Sequence, residues 1–241
     1  MGHILVFEHS DLCRPGRLGN VLCAHGFVLD IRRPDRDGSA AIPDTLREVL
    51  GVISLGGPQS VNDPDEWISA ELGLLARAHE AGVPMLGVCL GHQCIAKALG
   101  GAVTPVADKP EAGFWEVTLN HAGQTDQVYA GMPWQSMQLC AHEDAVSELP
   151  PGAAVLASSK ACSNQAMRIG QRTYSFQYHF EWTDVMAWKI ADDDPEFFTR
   201  AGLTTQDIES QMGEHYARFD QQSERLCENL MGLFEAYRAY R

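Results

Sequence analysis

The chain has 241 residues, of which 45% are hydrophobic, enough to bury a full core as one domain with embellishments. The formal net charge of −14 repels a phosphate backbone, and the sequence contains no compensating cationic patch, so we expect no direct binding to nucleic acid. The sequence has no basic, apolar secretory leader and no apolar stretch long enough to span a bilayer, so we expect a soluble, cytoplasmic protein with no membrane partner.

The first half of the chain alternates short apolar runs with helical stretches. Runs at 4–7, 27–31, 52–55 and 83–88 predict strands, and residues 17–25 predict the first helix. Another helix is expected to begin near Pro64, with Asp63 as its cap, and to end at the break at Gly82. A further helix is predicted from Gln93 to Leu99. Alternating strands and helices predict parallel βαβ units, a sheet covered on both faces, and ligands at the carboxyl ends of the strands.

The second half has shorter segments with turn signals, which predict β strands, some of them antiparallel, at 117–119, 153–157, 165–169 and 173–177. Beyond Asp192 the chain becomes acidic and then helical. We therefore expect one α/β domain at 1–191 and a helical extension at 192–241 that packs on it, with a homodimer contact as the alternative. The apolar stripe of this extension consists of Ile208, Met212, Tyr216, Phe219, Leu226, Leu230, Leu233 and Tyr237.

The number and spacing of the cysteines do not indicate disulfide cross-links. The seven cysteines form an odd, scattered set without a CxxC pair, so neither a disulfide framework nor a metal site is indicated. They are Cys13, Cys23, Cys89, Cys94, Cys140, Cys162 and Cys227.

Cys89 occupies a predicted strand-to-helix turn, flanked by Gly87 and Gly91. These glycines allow the strained backbone and close approach that a nucleophile elbow requires. The helix amino end favours thiolate over thiol, so we expect the pKa of Cys89 to be lowered. The alternative is a small buried hydrophobic residue, which is how we interpret Cys94 inside the predicted helix.

A thiolate that attacks a carbonyl needs a base, and the base needs an orienting acid. His179 and Glu181 are two residues apart at an apparent strand end, so their side chains are expected on the same side of the backbone. The pair alone is weak evidence, because nine histidines make chance pairings common.

Three motifs together resemble one family. The elbow Gly-Val-Cys-Leu-Gly-His-Gln at 87–93, the Gly-Gly-Pro loop at 56–58 and Gln-Tyr-His-Phe-Glu at 177–181 are similar to signatures of class I (triad) glutamine amidotransferases, in the same order, covering roughly 4–182. The tract Cys-Ala-His-Glu-Asp at 140–144, with 156–159 and 164–166, resembles the free-standing branch related to the amidotransferase domain of GMP synthetase.

The resemblance implies an α/β, flavodoxin-like open sheet, mostly parallel with helices on both faces, plus a small antiparallel β element and a C-terminal helical extension. It also implies hydrolysis of a γ-glutamyl amide through a γ-glutamyl thioester on Cys89, without a metal or organic cofactor. The roles it implies are Cys89 as nucleophile, His179 as general base and acid, Glu181 as its orienter, backbone N–H groups of Gly57 and Leu90 as the oxyanion hole, and Gln93 and Gln59 as substrate-binding residues.

Two departures from the family pattern concern the pocket. Phe180 stands in place of the usual proline between histidine and glutamate, which leaves the spacing intact, so we expect function to survive. Cys140 stands where the related free-standing proteins often carry an aromatic residue, which leaves room for a reshaped pocket wall and leaves the substrate choice open.

The fate of the released amine is open. The segment after Asp192 is too short for an acceptor domain and lacks an ATP-binding loop, so the ammonia is expected to pass to a separate synthetase or other acceptor subunit. The alternatives are a γ-glutamyl peptidase or hydrolase that uses the same three residues, and a catalytically silent binding or regulatory module.

Overall fold

A computed structural model describes residues 2–241, and in this part of the chain it contains eleven strands and eight α-helices, with two short 3-10 helices. The strands are β1 (His3–Phe7), β2 (Leu29–Arg32), β3 (Val49–Ser54), β4 (Met85–Val88), β5 (Ala102–Pro105), β6 (Glu111–Leu119), β7 (Gln135–His142), β8 (Asp144–Glu148), β9 (Ala153–Ser158), β10 (Ala166–Ile169) and β11 (Thr173–Phe176). The helices are α1 (Gly16–Ala24), α2 (Pro34–Asp37), α3 (Glu66–Glu80), α4 (Leu90–Ala98), α5 (His121–Gln124), α6 (Asp184–Asp193), α7 (Pro195–Ala201) and α8 (Thr205–Tyr240).

A nine-stranded mixed sheet runs through the molecule in the order β2-β1-β3-β4-β11-β10-β9-β6-β7. Strands β2, β1, β3, β4 and β11 are parallel, and this part of the sheet carries the site. Strands β10, β9, β6 and β7 extend it with antiparallel pairing. A separate antiparallel pair is formed by β5 and β8. The predicted fold, flavodoxin-like with a small antiparallel element and a C-terminal helix, is confirmed.

The two faces of the sheet bury two separate apolar cores. Along β1, Ile4 and Val6 point into the core beneath α1 and α8, whereas Leu5 and Phe7 point into the core beneath α3 and α4. This two-residue alternation is what a strand covered on both faces requires. None of the helices within residues 2–241 combines the length and the apolar character needed to cross a bilayer.

A third apolar cluster joins the last three helices to the pocket side of the sheet. Trp182 packs in it together with Phe197 and Phe198 of α7 and with Phe219 of α8. Helix α8 begins with a capping box between Thr204 and Asp207, and its buried stripe also packs against α1.

One predicted boundary is wrong. Helix α3 begins at Glu66 and not near Pro64, because Asp63 is engaged in a turn, accepting the N–H of Ser60 at 2.8 Å and donating its own N–H to Ser60 O at 3.0 Å. Asp65 is the residue that precedes the helix. Strands β5, β7 and β8 were not predicted individually from the sequence.

Candidate active site

Cys89 lies between β4 and α4 with φ 52° and ψ −107°, a conformation that only a tightly constrained non-glycine residue adopts. Its N–H donates to Phe176 O of β11 at 2.8 Å. A Cβ on Gly91 would lie 1.9 Å from Ser54 O, and a Cβ on Gly87 would lie 2.5 Å from Gly91 O. Both flanking glycines are therefore sterically required, as the elbow motif predicts.

The expected lowering of the Cys89 pKa is wrong. Burial raises the pKa of the thiol above its ordinary value, and the hydrogen bond from the Leu90 N–H at the start of α4 offsets this only in part. The Sγ atom lies 3.6 Å from Ala141 O and can donate its proton to that carbonyl. The resting side chain is therefore a thiol, and it needs a base at the moment of reaction.

His179 and Glu181 follow β11 and face the elbow. Nδ1 of His179 lies 2.7 Å from Oε1 of Glu181, and the imidazole stacks on Trp182 with 3.8 Å between ring centroids. A Cβ on Gly56 would lie 2.9 Å from Cε1 of His179 and 3.5 Å from Cβ of Cys89, so histidine and cysteine border the same glycine. The structure thus brings the three residues singled out by the sequence together at one edge of the sheet.

The second oxygen of Glu181, Oε2, is buried and has no hydrogen-bond partner within residues 2–241. An unpaired buried carboxylate oxygen is costly, and such atoms are uncommon in folded proteins. Glu181 therefore keeps acceptor capacity that packing alone does not use.

The Gly-Gly-Pro loop, after β3, lies against the start of α4. Leu55 O accepts the N–H of Gly91 at 3.0 Å, which ties the loop to the elbow. A Cβ on Gly57 would lie 3.1 Å from Cδ2 of Leu90, and Gly57, Leu90 and Cys89 line one cavity. The two backbone groups expected to form an oxyanion hole are thus neighbours of the thiol.

His9 supports this loop and was not predicted from the sequence. It is fully buried, with Nδ1 3.0 Å from Leu55 O and Nε2 2.8 Å from Glu71 Oε2. Ser54 donates to the other oxygen of Glu71 at 2.7 Å. Burial lowers the pKa of His9, but the charge and hydrogen bond of Glu71 outweigh burial and raise the pKa above its ordinary value. The signal in the sequence is a polar residue at the carboxyl end of β1, an edge where ligands bind in parallel sheets.

The two glutamines expected to contact substrate both line the cavity. The Gln93 amide group donates to Asp144 O at 3.0 Å and to Gln177 Oε1 at 3.2 Å, so it is not a solvated helix residue. The Gln59 amide group donates to His9 O at 3.2 Å, while its Oε1 is buried without a partner within residues 2–241. Within residues 2–241, Gln59 therefore lines the cavity with a buried acceptor that has no partner, and Gln93 is held in place by the wall around it.

The cavity has a volume of about 500 Å³, which is in the range of small-molecule sites. Helices α6 and α7 contribute one wall, which was not predicted: Ile190 and Phe197 are apolar, and Asp194 and Arg200 are charged. At the rim, Arg200 forms an ion pair with Glu143, and both side chains are half-exposed.

Cys140, which the sequence linked to the shape of the pocket wall, does not itself line the cavity. Its side chain is fully buried, and the wall is formed by the four residues that follow it, Ala141 to Asp144.

A second cysteine–histidine–glutamate cluster includes His142, one of the residues of this wall. Glu111, His142 and Cys162 are buried, and their ligand atoms all lie within 4.8 Å of one another, close enough to hold a metal ion. However, Glu111 already accepts from Ser159 and Gln165, and its Oε2 lies 2.7 Å from His142 Nε2. A metal would have to displace these donors, so the arrangement fits a hydrogen-bonded network better than a metal centre.

Fold and site together define an α/β protein with a cysteine-centred pocket at the carboxyl edge of its parallel strands. The chain belongs to the family Glutamine amidotransferase class-I, which matches residues 17–185.

Curated relatives include "GMP synthase [glutamine-hydrolyzing]" of Streptococcus pyogenes serotype M49 (strain NZ131), 32% identical over 139 residues, which are 56% of this chain and 26% of that protein. The protein of the same name from Streptococcus thermophilus (strain CNRZ 1066) is 34% identical over 141 residues, 57% of this chain and 26% of the relative. The chain thus spans about a quarter of the length of these relatives.

Solved structures share the fold over nearly the whole chain. A glutamine amidotransferase from Methylobacillus flagellatus superimposes with a TM-score of 0.83 at 25% identity, covering 96% of this chain and 94% of the other. A glutamine amidotransferase from Thermotoga maritima gives 0.80 at 19% identity, with coverage of 95% and 98%, and shows similarity of fold alone.

Proposed function

We propose that this protein is a glutamine amidotransferase-type hydrolase that cleaves a γ-glutamyl amide through a thioester on Cys89. The observation that carries the proposal is the meeting of three features at one cavity: a strained cysteine elbow, a hydrogen-bonded His179–Glu181 pair and the Gly57 loop. Family membership supports the same chemistry.

In the first half-reaction, His179 removes the Cys89 proton as sulfur attacks the amide carbon. Burial raises the pKa of Cys89, so the thiol needs His179 to accept its proton. Backbone N–H groups of Gly57 and Leu90 hold the oxyanion, a contribution worth about 3 kcal/mol per donor in such sites. The imidazolium then returns its proton to the leaving nitrogen, the C–N bond breaks, and ammonia or an amine departs.

In the second half-reaction, His179 takes a proton from water as the water oxygen attacks the thioester. The C–S bond breaks, the proton returns to sulfur, and glutamate is released. Glu181 holds the imidazole tautomer through both steps, since its Oε1 engages Nδ1. This sequence of steps uses no metal or organic cofactor.

Gln59 and Gln93 are proposed to face the amino-acid end of the substrate. The unpaired Oε1 of Gln59 would accept a hydrogen bond from the substrate ammonium group. Gln93 would contribute indirectly, because its amide group donates to Asp144 O and so supports the cavity wall.

For the released ammonia we propose a separate synthetase or other acceptor subunit, because the curated relatives are named GMP synthase. We further propose that residues 1–191 form the amidotransferase domain, that 192–241 are an extension of it, and that the protein works in the cytoplasm. A homodimer remains the alternative use of the terminal helix.

A γ-glutamyl peptidase or hydrolase is the second candidate, and the wall from α6 and α7 favours it. Ammonia needs no apolar surface, whereas a larger amine leaving group would gain from contact with Ile190 and Phe197. Arg200 would pair with a carboxylate on such a leaving group by exchanging it for Glu143, its partner in the structure.

The deciding experiment assays purified protein against glutamine and a panel of γ-glutamyl dipeptides, with Cys89→Ala and Cys94→Ala compared. Cys94 is also buried but lies inside α4, so it is a matched thiol control. Glutamine turnover of roughly 1 to 1,000 per second in isolated protein would make an activating subunit unnecessary. Fast dipeptide turnover with negligible glutaminase activity would favour the second candidate. A silent module predicts no turnover, and no labelling of Cys89 by a γ-glutamyl electrophile, with or without partners.

A further inference from the structure

Arg17, in the first turn of α1, donates to the main chain on both sides of Glu181. Its backbone N–H donates to Glu181 O at 2.9 Å, and its Nη1 donates to Phe180 O at 2.8 Å and to Trp182 O at 3.0 Å. Three successive carbonyl groups thus receive hydrogen bonds from a single residue. A guanidinium can bridge two carbonyls in this way because its N–H groups form a rigid planar fork.

The Glu181 side chain is fully buried but makes a single hydrogen bond within residues 2–241. Oε1 is engaged with His179, and Oε2 has no hydrogen-bond partner within residues 2–241. The main chain has left the sheet at Phe176, the last residue of β11. The direction of the carboxylate therefore depends on how the backbone at 180–182 is held.

Arg17 is itself anchored from two directions. Gly16 has φ +47°, and a Cβ there would lie 2.2 Å from Glu181 O, so α1 begins in close contact with the segment it supports. On the other side, Nη2 pairs with Asp220 of α8 and donates to the Tyr216 hydroxyl at 3.2 Å. Although Asp220 is half-exposed, the Arg17 side chain is only 6% exposed, so its geometry is fixed by packing.

We propose that Arg17 is a positioning residue for the reaction, which holds the backbone at 180–182 so that Glu181 can orient His179. The assignment rests on the proposed function, because it gives Arg17 a role only through Glu181. The contact with Asp220 and Tyr216 makes helix α8 part of this support, and thereby connects the C-terminal segment to the chemistry.

A double-mutant cycle between Arg17→Met and Glu181→Gln tests the proposal. Arg17→Met is expected to lower kcat roughly 10- to 100-fold, since small misplacements of catalytic groups have effects of this size, while KM changes less than about threefold. In the Glu181→Gln background the same substitution should lower kcat by less than about threefold, because the residue through which it acts is already impaired.

Arg172→Met is the matched control. Arg172 also donates to a carbonyl, Gly82 O at 3.2 Å, and lies over the Tyr237 ring, but it precedes β11 at the opposite edge of the sheet. Its loss should lower the melting temperature without lowering kcat. Arg17→Lys is the second variant should Arg17→Met not fold, since lysine keeps the charge near Asp220 but cannot bridge Phe180 O and Trp182 O.

Equal losses of kcat from the Arg17 substitution in both backgrounds would overturn the positioning role while leaving the proposed function standing, as would an unchanged kcat in either Arg17 variant. Wild-type protein that neither turns over γ-glutamyl compounds nor reacts with a γ-glutamyl electrophile at Cys89 would overturn the proposed function and this inference with it.

Discussion

Two cysteine–histidine–glutamate clusters lie close to the same pocket wall, and they differ in what their hydrogen bonds leave free. In each cluster a histidine nitrogen lies 2.7 Å from a glutamate oxygen, at His179–Glu181 and at His142–Glu111. Both pairs are buried, so neither residue composition nor the histidine–glutamate distance distinguishes them.

The difference lies in the remaining atoms. His142 uses both ring nitrogens, with Nδ1 2.9 Å from Asp144 O, and Glu111 accepts from Ser159 and Gln165 as well. Glu181, by contrast, keeps one oxygen without a hydrogen-bond partner in the described part of the chain, residues 2–241.

The two cysteines also differ. Cys89 has a strained backbone and lines the cavity, whereas Cys162 lies in the turn after β9, where its N–H donates to Ser159 Oγ at 2.9 Å. A saturated cluster stabilises a fold, and an unsaturated one at a cavity is available for chemistry.

The largest expected contrast comes from deleting each thiol. Cys89→Ala should lower kcat by at least about 10⁴-fold, since removal of a nucleophile has effects of that order or larger. Cys162→Ala should leave kcat within about threefold and lower the free energy of unfolding by roughly 1 kcal/mol for the small cavity. Steady-state kinetics and urea unfolding of both variants check the contrast, and equal loss of activity in the two would break it.

Removing one carboxylate charge from each cluster should separate catalysis from stability. Glu181→Gln is expected to lower kcat about 10²- to 10⁴-fold, because the imidazole loses its orienting partner, with little change in unfolding free energy. Glu111→Gln should lower the unfolding free energy by about 3 kcal/mol, because a buried charge network is broken, and leave kcat of the folded protein within about tenfold. A stable but inactive Glu111→Gln protein would reverse the assignment of the two clusters.

A smaller effect is expected at the loop beside Cys89. A Cβ on Gly57 would lie 2.6 Å from both Gln59 Oε1 and His9 Cβ, so Gly57→Ala should displace the proposed oxyanion donor and lower kcat about tenfold to 100-fold. The control is Gly73→Ala in α3, where the nearest atom is 3.6 Å away and alanine should stabilise the helix by up to about 1 kcal/mol. Unchanged kcat in Gly57→Ala would remove the oxyanion role from this loop.

The smallest expected effect is the dependence of stability on pH, and here the cysteines of the two clusters should behave alike. Burial raises the pKa of Cys89 above its ordinary value and that of Cys162 to about 12. The folded state therefore keeps these protons when the unfolded chain, with cysteine pKa values near 8.5, has lost them. Their stabilisation is complete below that pH, and it decreases by roughly 1 kcal/mol per pH unit for each group as the pH rises toward 12.

Urea unfolding between pH 8 and 10.5 measures this slope. Cys89→Ala and Cys162→Ala should each make the decrease in stability shallower. If the unfolding free energy decreased equally steeply with pH in the wild type and in both variants, the two buried thiols would not be the source of the pH dependence.

The elbow and the fold could be predicted because the signals for them lie in short, continuous stretches of the sequence. Short apolar runs and flanking glycines such as Gly87 and Gly91 can be read from neighbouring residues in the sequence, and the structure shows why each glycine is required. The start of α3 was predicted wrongly because Asp63 satisfies a turn instead of a helix end, a choice that depends on Ser60.

Other features depend on contacts between distant segments. The pairing of His9 with Glu71, the bridge from Arg17 to Phe180 and the pocket wall from α7 join residues that are far apart in the chain, so no local pattern reports them. The Cys89 pKa was expected to fall from the helix amino end alone, because the extent of burial, which dominates, is a property of the whole fold.

The most direct test of the account is to identify the thiol that reacts with a chloroketone analogue of glutamine. The folded protein is labelled first, and the modified cysteine is then located by peptide mass spectrometry after digestion. The account predicts that sulfur of Cys89 displaces the chloride to give one thioether adduct per chain, retained in Cys162→Ala and lost in Cys89→Ala. An adduct on Cys162, or glutamine turnover that survives Cys89→Ala, would contradict it.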